Sequence, residues 1–125
     1  MDQKILVTPD FSIGDEVLES LDAAKFPVAA AAWVLSDELG GWQFVVGTTL
    51  YEELGTRGAY GRLIDAVRSK DPDSLIFNDV RLMSSNHPFI REVRRIFEHR
   101  GFRKGVSMGG NIGGMWVDDA KFYRA

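Results

Sequence analysis

The stretch that decides the fold is Gly105-Val-Ser-Met-Gly-Gly-Asn-Ile-Gly-Gly-Met-Trp-Val-Asp-Asp119. It contains five of the thirteen glycines of the chain, and they cluster around Asn111. The runs on either side, Gly105–Met108 and Met115–Val117, carry β-branched, Met and aromatic residues, which favour strands. Gly and Asn adopt positive φ angles at little steric cost. The stretch therefore predicts two strands that meet at a glycine-rich turn around Asn111.

The same glycines are a poor match to a phosphate-binding loop. Such loops lead into a helix whose free amides hold the anion. Here the strand-like run Met115–Val117 follows, and no Gly-Lys-Ser/Thr triplet is present. We therefore interpret the glycines as a structural turn, which fixes where Asp119 and Lys121 lie relative to Arg103 and Lys104.

The rest of the chain alternates between helical and extended patterns. Apolar residues recur at helical spacing in three segments, and five other segments have the composition of strands. The predicted helices are Ile13–Ala24, Arg57–Lys70 and Pro88–Arg100, and the predicted strands are Val28–Leu35, Trp42–Leu50, Ser74–Met83, Phe102–Met108 and Met115–Tyr123. This order, α-β-β-α-β-α-β-β, predicts an α+β fold: about five strands in a mixed sheet, with three helices mostly on one face. We expect one domain over residues 1–125, with residues 1–10 as a tail or an edge strand.

Local signals refine the predicted boundaries. Ser12 is a good N-cap, and Asp15 three residues later completes a capping-box-like start. Tyr51–Gly55 is interpreted as a connection before the second helix. Gly101 is a C-cap of the usual type for the third helix. The pair Asp118-Asp119 interrupts the last strand and predicts a bulge or bend there.

Composition limits the classes of protein that fit. With 45% hydrophobic and 26% charged residues, the 125-residue chain is typical of a globular domain. The absence of cysteine excludes disulfides, thiol nucleophiles and Cys-ligated zinc. No apolar run approaches the ~20 residues of a membrane-spanning helix, and the N-terminal residues do not match a signal peptide. We expect a cytoplasmic protein that does not enter a membrane.

Charge is distributed unevenly along the chain, whose net charge is −3. Residues 1–40 carry eight acidic and two basic residues, whereas residues 81–104 carry seven basic and two acidic ones. Such polarity can mark a face that binds a partner. Alternatively, the two segments attract each other within one fold, or each is a solvated helix surface.

An arginine cluster is the candidate binding site. Arg91, Arg94 and Arg95 lie within about one turn of the third predicted helix, and Arg103 and Lys104 begin the next strand. Guanidinium groups suit phosphates and carboxylates. Nucleic-acid-binding domains are usually basic, and a pI near 5.3 makes nucleic acid an unsuitable partner. We predict that these five residues bind an acidic protein partner, or the acidic N-terminal helix of a second copy in a homo-oligomer.

A metal-dependent hydrolase of phosphodiester-type substrates is the alternative. Asp119 and Lys121 would share one face of a strand, and Asp79 on another strand could join them around a divalent cation. The pattern is short and no second well-placed carboxylate accompanies it, so we predict no cofactor and no metal site. His87 and His99, at opposite ends of one helix, are too far apart to share a metal. Three serines have no local base signature: Ser84, Ser85 and Ser107.

Overall fold

The computed structural model describes residues 11–68, 80–100 and 107–125. The elements in chain order are α1 (Ser12–Ala23), β1 (Ala30–Ser36), β2 (Gly41–Thr48), α2 (Leu50–Arg68), β3 (Val80–Ser84), α3 (Pro88–Arg100), β4 (Ser107–Ile112) and β5 (Met115–Arg124). A single 3-10 turn, Asp37–Leu39, joins β1 to β2. The predicted α+β class and the predicted order of elements are confirmed.

The five strands form one mixed sheet in the order β3-β2-β1-β5-β4. β2 and β3 are parallel, whereas the other neighbouring pairs are antiparallel. The two strands predicted at Val28–Leu35 and Trp42–Leu50 pair as an antiparallel hairpin, with Trp33 opposite Phe44 and Leu35 opposite Trp42. β5 pairs with the other side of β1, so the second hairpin extends the sheet and leaves β4 as an edge strand.

Two helices cover one face of the sheet and the third covers the other, in agreement with the predicted arrangement. The side chains of Trp33 and Phe44 pack with α1 and α2, whereas the alternate residues Val34 and Val45 pack with α3. Strand alternation produces this division, because successive side chains point to opposite faces. The sheet therefore lies between the acidic helix α1 and the basic helix α3. Within the described residues, α1 and α3 therefore lie on opposite faces of the sheet and belong to different core clusters.

The start of α1 differs from the prediction. Phe11, not Ser12, occupies the N-cap position, so the predicted N-cap residue is wrong, and the Phe11 side chain makes no capping hydrogen bond. The Phe11 ring packs edge to face on Trp33 and Trp42, at centroid distances of 5.9 Å and 5.2 Å. Its carbonyl accepts hydrogen bonds from the Trp33 indole (3.2 Å) and the Tyr123 hydroxyl (2.6 Å). Tertiary contacts of Phe11 therefore set the start of the helix.

The second helix also begins earlier than predicted. The segment Tyr51–Gly55 is helical and not a connection, because α2 starts at Leu50. The Leu50 amide donates to the Thr48 hydroxyl (3.1 Å), which caps the new helix directly after β2. Gly55 has φ 73° and ψ 179°, so it kinks α2 instead of preceding it.

The turn of the second hairpin is tighter than predicted. Residues 109–112 belong to β4, so the turn predicted around Asn111 is wrong in its position. Gly113 and Gly114 alone form the turn, with φ angles of 59° and 89°. A two-residue hairpin turn with both φ angles positive matches the twist of the flanking strands. The Asn111 side chain accepts a hydrogen bond from the Gly114 amide (3.1 Å) and supports the turn.

The predicted bulge at Asp118-Asp119 is confirmed. Met108 pairs with Ala120 and Gly110 pairs with Val117, so β5 has one more residue than β4 across this interval. The bulge keeps both Val117 and Ala120 buried on the α3 side.

Several predicted features lie outside the described residues: the end of the second helix at Lys70, the strand residues 74–79, the Gly101 cap and the strand residues 102–106. None of the described helices is long and apolar enough to cross a membrane.

Candidate functional site

Helix α3 carries the predicted arginines on one exposed surface. Its buried residues recur at helical spacing and pack under the sheet: Phe89, Ile90, Val93 and Ile96. Arg91, Arg94 and Arg95 fall between them and are exposed, as predicted. We call these three residues the arginine face. Arg103 and Lys104 lie outside the described residues, so their part in the site stays a prediction.

The arginine face borders an open cleft of about 680 Å³. Its lining comes from the start of α3 and from the turn of the second hairpin: Pro88, Arg91, Glu92, Arg95, Asn111, Gly113 and Gly114. We call it the hairpin cleft. A Cβ atom on Gly113 would come within 2.4 Å of the Pro88 carbonyl oxygen, so only glycine lets the turn lie this close to the helix. The glycine turn is therefore a wall of the cleft and provides no chemistry of its own.

One arginine of the cleft already holds a carboxylate. Arg95 donates from Nε to Glu92 Oε2 at 2.6 Å and from Nη2 to Glu92 Oε1 at 2.8 Å. These hydrogen bonds lower the pKa of Glu92 and raise the pKa of Arg95. Arg91 and Arg94 form no ion pair with any residue that the structure describes. The cleft thus combines an occupied guanidinium with an available one.

On the opposite side of the second hairpin, a tryptophan next to the turn is exposed. Trp116 is 61% exposed, whereas its neighbours Met115 and Val117 are buried with α3. Trp116 therefore points away from α3, and its indole nitrogen donates to Asp118 Oδ1 at 3.3 Å. Asp118 is exposed, and Asp119, in the bulge, is partly exposed. We call Trp116, Asp118 and Asp119 the tryptophan face. Sequence reasoning missed it, since a tryptophan in an apolar strand is usually part of the core.

A polar cluster lies where the parallel strands β2 and β3 end. Glu52, in the first turn of α2, accepts hydrogen bonds from the hydroxyls of Ser84 (2.7 Å) and Ser85 (2.5 Å). These bonds lower the pKa of Glu52. Open α/β sheets often bind ligands at such a position, because α2 and α3 leave toward opposite faces. The lowered pKa makes the Glu52 carboxylate a weaker base, and its Oε1 already accepts hydrogen bonds from two hydroxyls. We therefore interpret the cluster as a structural contact between α2 and the loop before α3.

The residues of the alternative metal site are only partly placed. Asp119 and Lys121 lie opposite Leu35 and Trp33 and share one face, as predicted. Lys121 Nζ lies 4.6 Å from the centroid of the Phe11 ring. Asp79 is outside the described residues. Among those that are described, no group of three His, Asp or Glu side chains could hold a metal ion. The hydrolase stays a prediction with no contact to support it.

Comparison with protein-family models, curated proteins and solved structures gives no match for this chain. The function is therefore argued from the surfaces themselves.

Proposed function

We propose that this protein is a protein-interaction domain whose arginine face binds a carboxylate-bearing surface of a partner protein. The observation that carries the proposal is the hairpin cleft, where Arg95 holds Glu92 in a bidentate pair beside Arg91. A planar guanidinium matches a carboxylate with two parallel hydrogen bonds, which adds geometric specificity to the charge attraction. An incoming carboxylate would make with Arg91 the contact that Glu92 makes with Arg95.

The elements that present these arginines support binding without rearrangement. Ile90 and Val93, each 1% exposed, anchor α3 to the sheet. The close approach of Gly113 to Pro88 sets the position of the turn against the helix. A surface built on such elements loses less conformational entropy on binding than a loop does.

A protein surface fits this cleft better than a nucleic acid. Nucleic-acid affinity comes from many phosphate contacts made at once. Glu92 puts a carboxylate into the same cleft, and the chain as a whole carries a net charge of −3. A single acidic side chain can approach Arg91 and stay clear of these negative charges, whereas a continuous phosphate backbone would meet them.

The test uses a decapeptide of glutamate as the probe, titrated into the isotopically labelled protein and followed by NMR. We expect saturable shifts at the backbone amides of Arg91, Arg95, Gly113 and Gly114. Binding should weaken as salt rises from about 20 to about 150 mM, because screening shortens the range of the attraction. Arg91→Glu should abolish the shifts.

Arg57→Glu is the matched control, because it makes the same charge change at an exposed site on α2, across the sheet. It should leave peptide binding within about twofold, whereas a change in net charge alone would weaken both variants equally. Equal loss in the two variants contradicts the proposal. So does tighter binding of a single-stranded oligonucleotide of the same charge at the same salt concentration.

A further inference from the structure

The tryptophan face has the composition of a surface that binds another molecule. Trp116, at 61% exposure, is one of two large hydrophobic side chains that are exposed within the described residues, the other being Leu54 at 43%. Tryptophan is enriched among the residues that dominate interface energies. The Asp118 carboxylate accepts a hydrogen bond from the indole, and the partly exposed Asp119 follows it in the bulge. An indole flanked by acidic groups suits a guanidinium, which stacks on the ring and pairs with a carboxylate.

The same chain carries groups that match this chemistry. Arg91 and Arg94 are exposed on α3 and form no ion pair among the described residues. They cannot meet Trp116 within one molecule, since Met115 and Val117 pack against α3 and turn Trp116 to the other side of the hairpin. Each copy therefore has an arginine face on one side and a tryptophan face on the other.

We propose that the partner of the arginine face is the tryptophan face of a second copy of this chain. The proposal rests on the proposed function for the role of the arginines, and it identifies the acidic surface they bind. Arg91 or Arg94 stacks on the indole of Trp116 and donates to the Asp118 or Asp119 carboxylate. The neighbouring copy uses its own arginine face in turn.

The geometry dictates the type of assembly. The two faces are different surfaces on opposite sides of the hairpin, so the contact is heterologous, not two-fold symmetric. Such a contact leaves one unused arginine face and one unused tryptophan face at the ends of a dimer. Copies therefore add head to tail, and the assembly closes into a ring or grows with concentration.

A complementation experiment with two variants tests this arrangement. Variant one carries Arg91→Ala and Arg94→Ala, and variant two carries Trp116→Ala and Asp118→Ala. Sedimentation velocity and native mass spectrometry at low salt should show concentration-dependent oligomers for the unchanged protein. Each variant alone should associate at least about tenfold more weakly, as for loss of an interface hot spot. An equimolar mixture should form a one-to-one heterodimer and nothing larger, because only one intact pair of faces remains.

Leu54→Ala combined with Arg57→Ala is the matched control, because it removes the other exposed apolar side chain and an arginine from α2. It should associate like the unchanged protein. Circular dichroism melting of every variant establishes that each is folded, and a variant that fails to fold is replaced by Arg91→Lys or Trp116→His, which should weaken association in the same direction.

Three outcomes would overturn the inference. The first is that the unchanged protein stays monomeric up to about 1 mM, the weak end of specific association. The second is that variant one still associates while variant two does not, which would indicate a symmetric contact between tryptophan faces. The third is that the two variants fail to form a heterodimer when they are mixed. In each case, peptide binding that still depends on Arg91 would leave the proposed function intact, since the tryptophan face takes no part in it.

Discussion

The two hairpins of the sheet have similar local chemistry and different surroundings. β1 and β2 are covered on both sides, by α1 and α2 on one face and by α3 on the other, and Trp33 within them is 0% exposed. In β4 and β5 one face packs against α3, whereas on the other face Tyr123 packs against the core below α1 and Trp116, next to the turn, is 61% exposed. The same residue type on neighbouring strands is thus fully buried in one hairpin and displayed in the other.

This difference separates the part of the sheet that stabilises the fold from the surfaces that we propose for binding. A hairpin that is buried on both faces contributes apolar burial and cannot offer side chains to a partner. The half-covered hairpin keeps one row of side chains for the core, with Val117 and Phe122 both 0% exposed. On its other face, Trp116 and Asp118 next to the turn are exposed and are available for contacts with other molecules. Matched substitutions in the two hairpins should therefore have unequal effects on stability and on binding.

The largest expected difference is between the two tryptophans. Trp33→Ala should lower the free energy of unfolding by about 3–5 kcal/mol, because it leaves a cavity in the core. It also removes the hydrogen bond to the Phe11 carbonyl. Trp116→Ala should change the same quantity by less than about 0.5 kcal/mol, as for most exposed side chains. Urea denaturation followed by circular dichroism measures both values.

A loss above about 2 kcal/mol in Trp116→Ala would contradict this comparison, because exposed side chains do not contribute so much. It would mean that the indole is part of the core and not part of a binding surface. Phe44→Leu, a milder change in the covered hairpin, serves as a check that the assay resolves intermediate losses.

The two glycines of the second turn should differ as well. Gly113→Ala combines a positive φ of 59° with a Cβ atom placed 2.4 Å from the Pro88 carbonyl oxygen. We expect it to lower the free energy of unfolding by about 2–3 kcal/mol, since strain and overpacking add. Gly114→Ala has a φ of 89° and no atom within 4 Å of its Cβ, so we expect a loss of about 1 kcal/mol.

Equal losses in Gly113→Ala and Gly114→Ala would show that the approach to Pro88 is no constraint. A second readout separates stability from function. In Gly113→Ala the turn must move away from α3, so glutamate-peptide shifts at Arg91 should weaken even at temperatures where the variant is fully folded.

Local pattern predicted most of the fold. The β-branched and aromatic run from Trp42 onward and the stripe of α3 each follow one periodicity, and the structure confirms both. The early start of α2 was missed because Gly55 resembles a helix boundary, and the cap that starts the helix comes from Thr48 in β2. The order of strands was not predictable, because alternation specifies which face a residue occupies and does not specify the neighbouring strand.

The candidate site was predictable only where it lies on one element. Helical spacing placed Arg91, Arg94 and Arg95 on one surface, because that arrangement is local. The cleft depends on Gly113 meeting Pro88, a contact between distant parts of the chain. The exposure of Trp116 depends on the absence of a covering helix among the described residues. Neither feature leaves a local signal, so both required the three-dimensional arrangement.

The smallest expected effect concerns the end of the second hairpin that lies far from its turn. Arg124, at the end of β5, donates from both terminal nitrogens to the Asp22 carboxylate of α1, each at 2.8 Å. The hydrogen bond from Arg124 lowers the pKa of Asp22, against an opposing effect of desolvation. The side chains of Asp22 and Arg124 are 52% and 39% exposed, so solvent screening limits the coupling energy between them to about 0.3–0.5 kcal/mol.

The sign of the pH dependence follows from the lowered pKa of Asp22. Stability from this pair is fully present above the unfolded pKa, near 3.8, and is lost as the pH falls through the lower folded pKa. A double-mutant cycle of Asp22→Ala and Arg124→Ala, measured by urea denaturation, should give the coupling at pH about 7 and almost none at pH about 2. A coupling unchanged by acid would mean that the charge of Asp22 is not involved. A coupling above about 1.5 kcal/mol would mean that this end of β5 is held as firmly as the covered hairpin, so that only the turn and the tryptophan face remain free to bind.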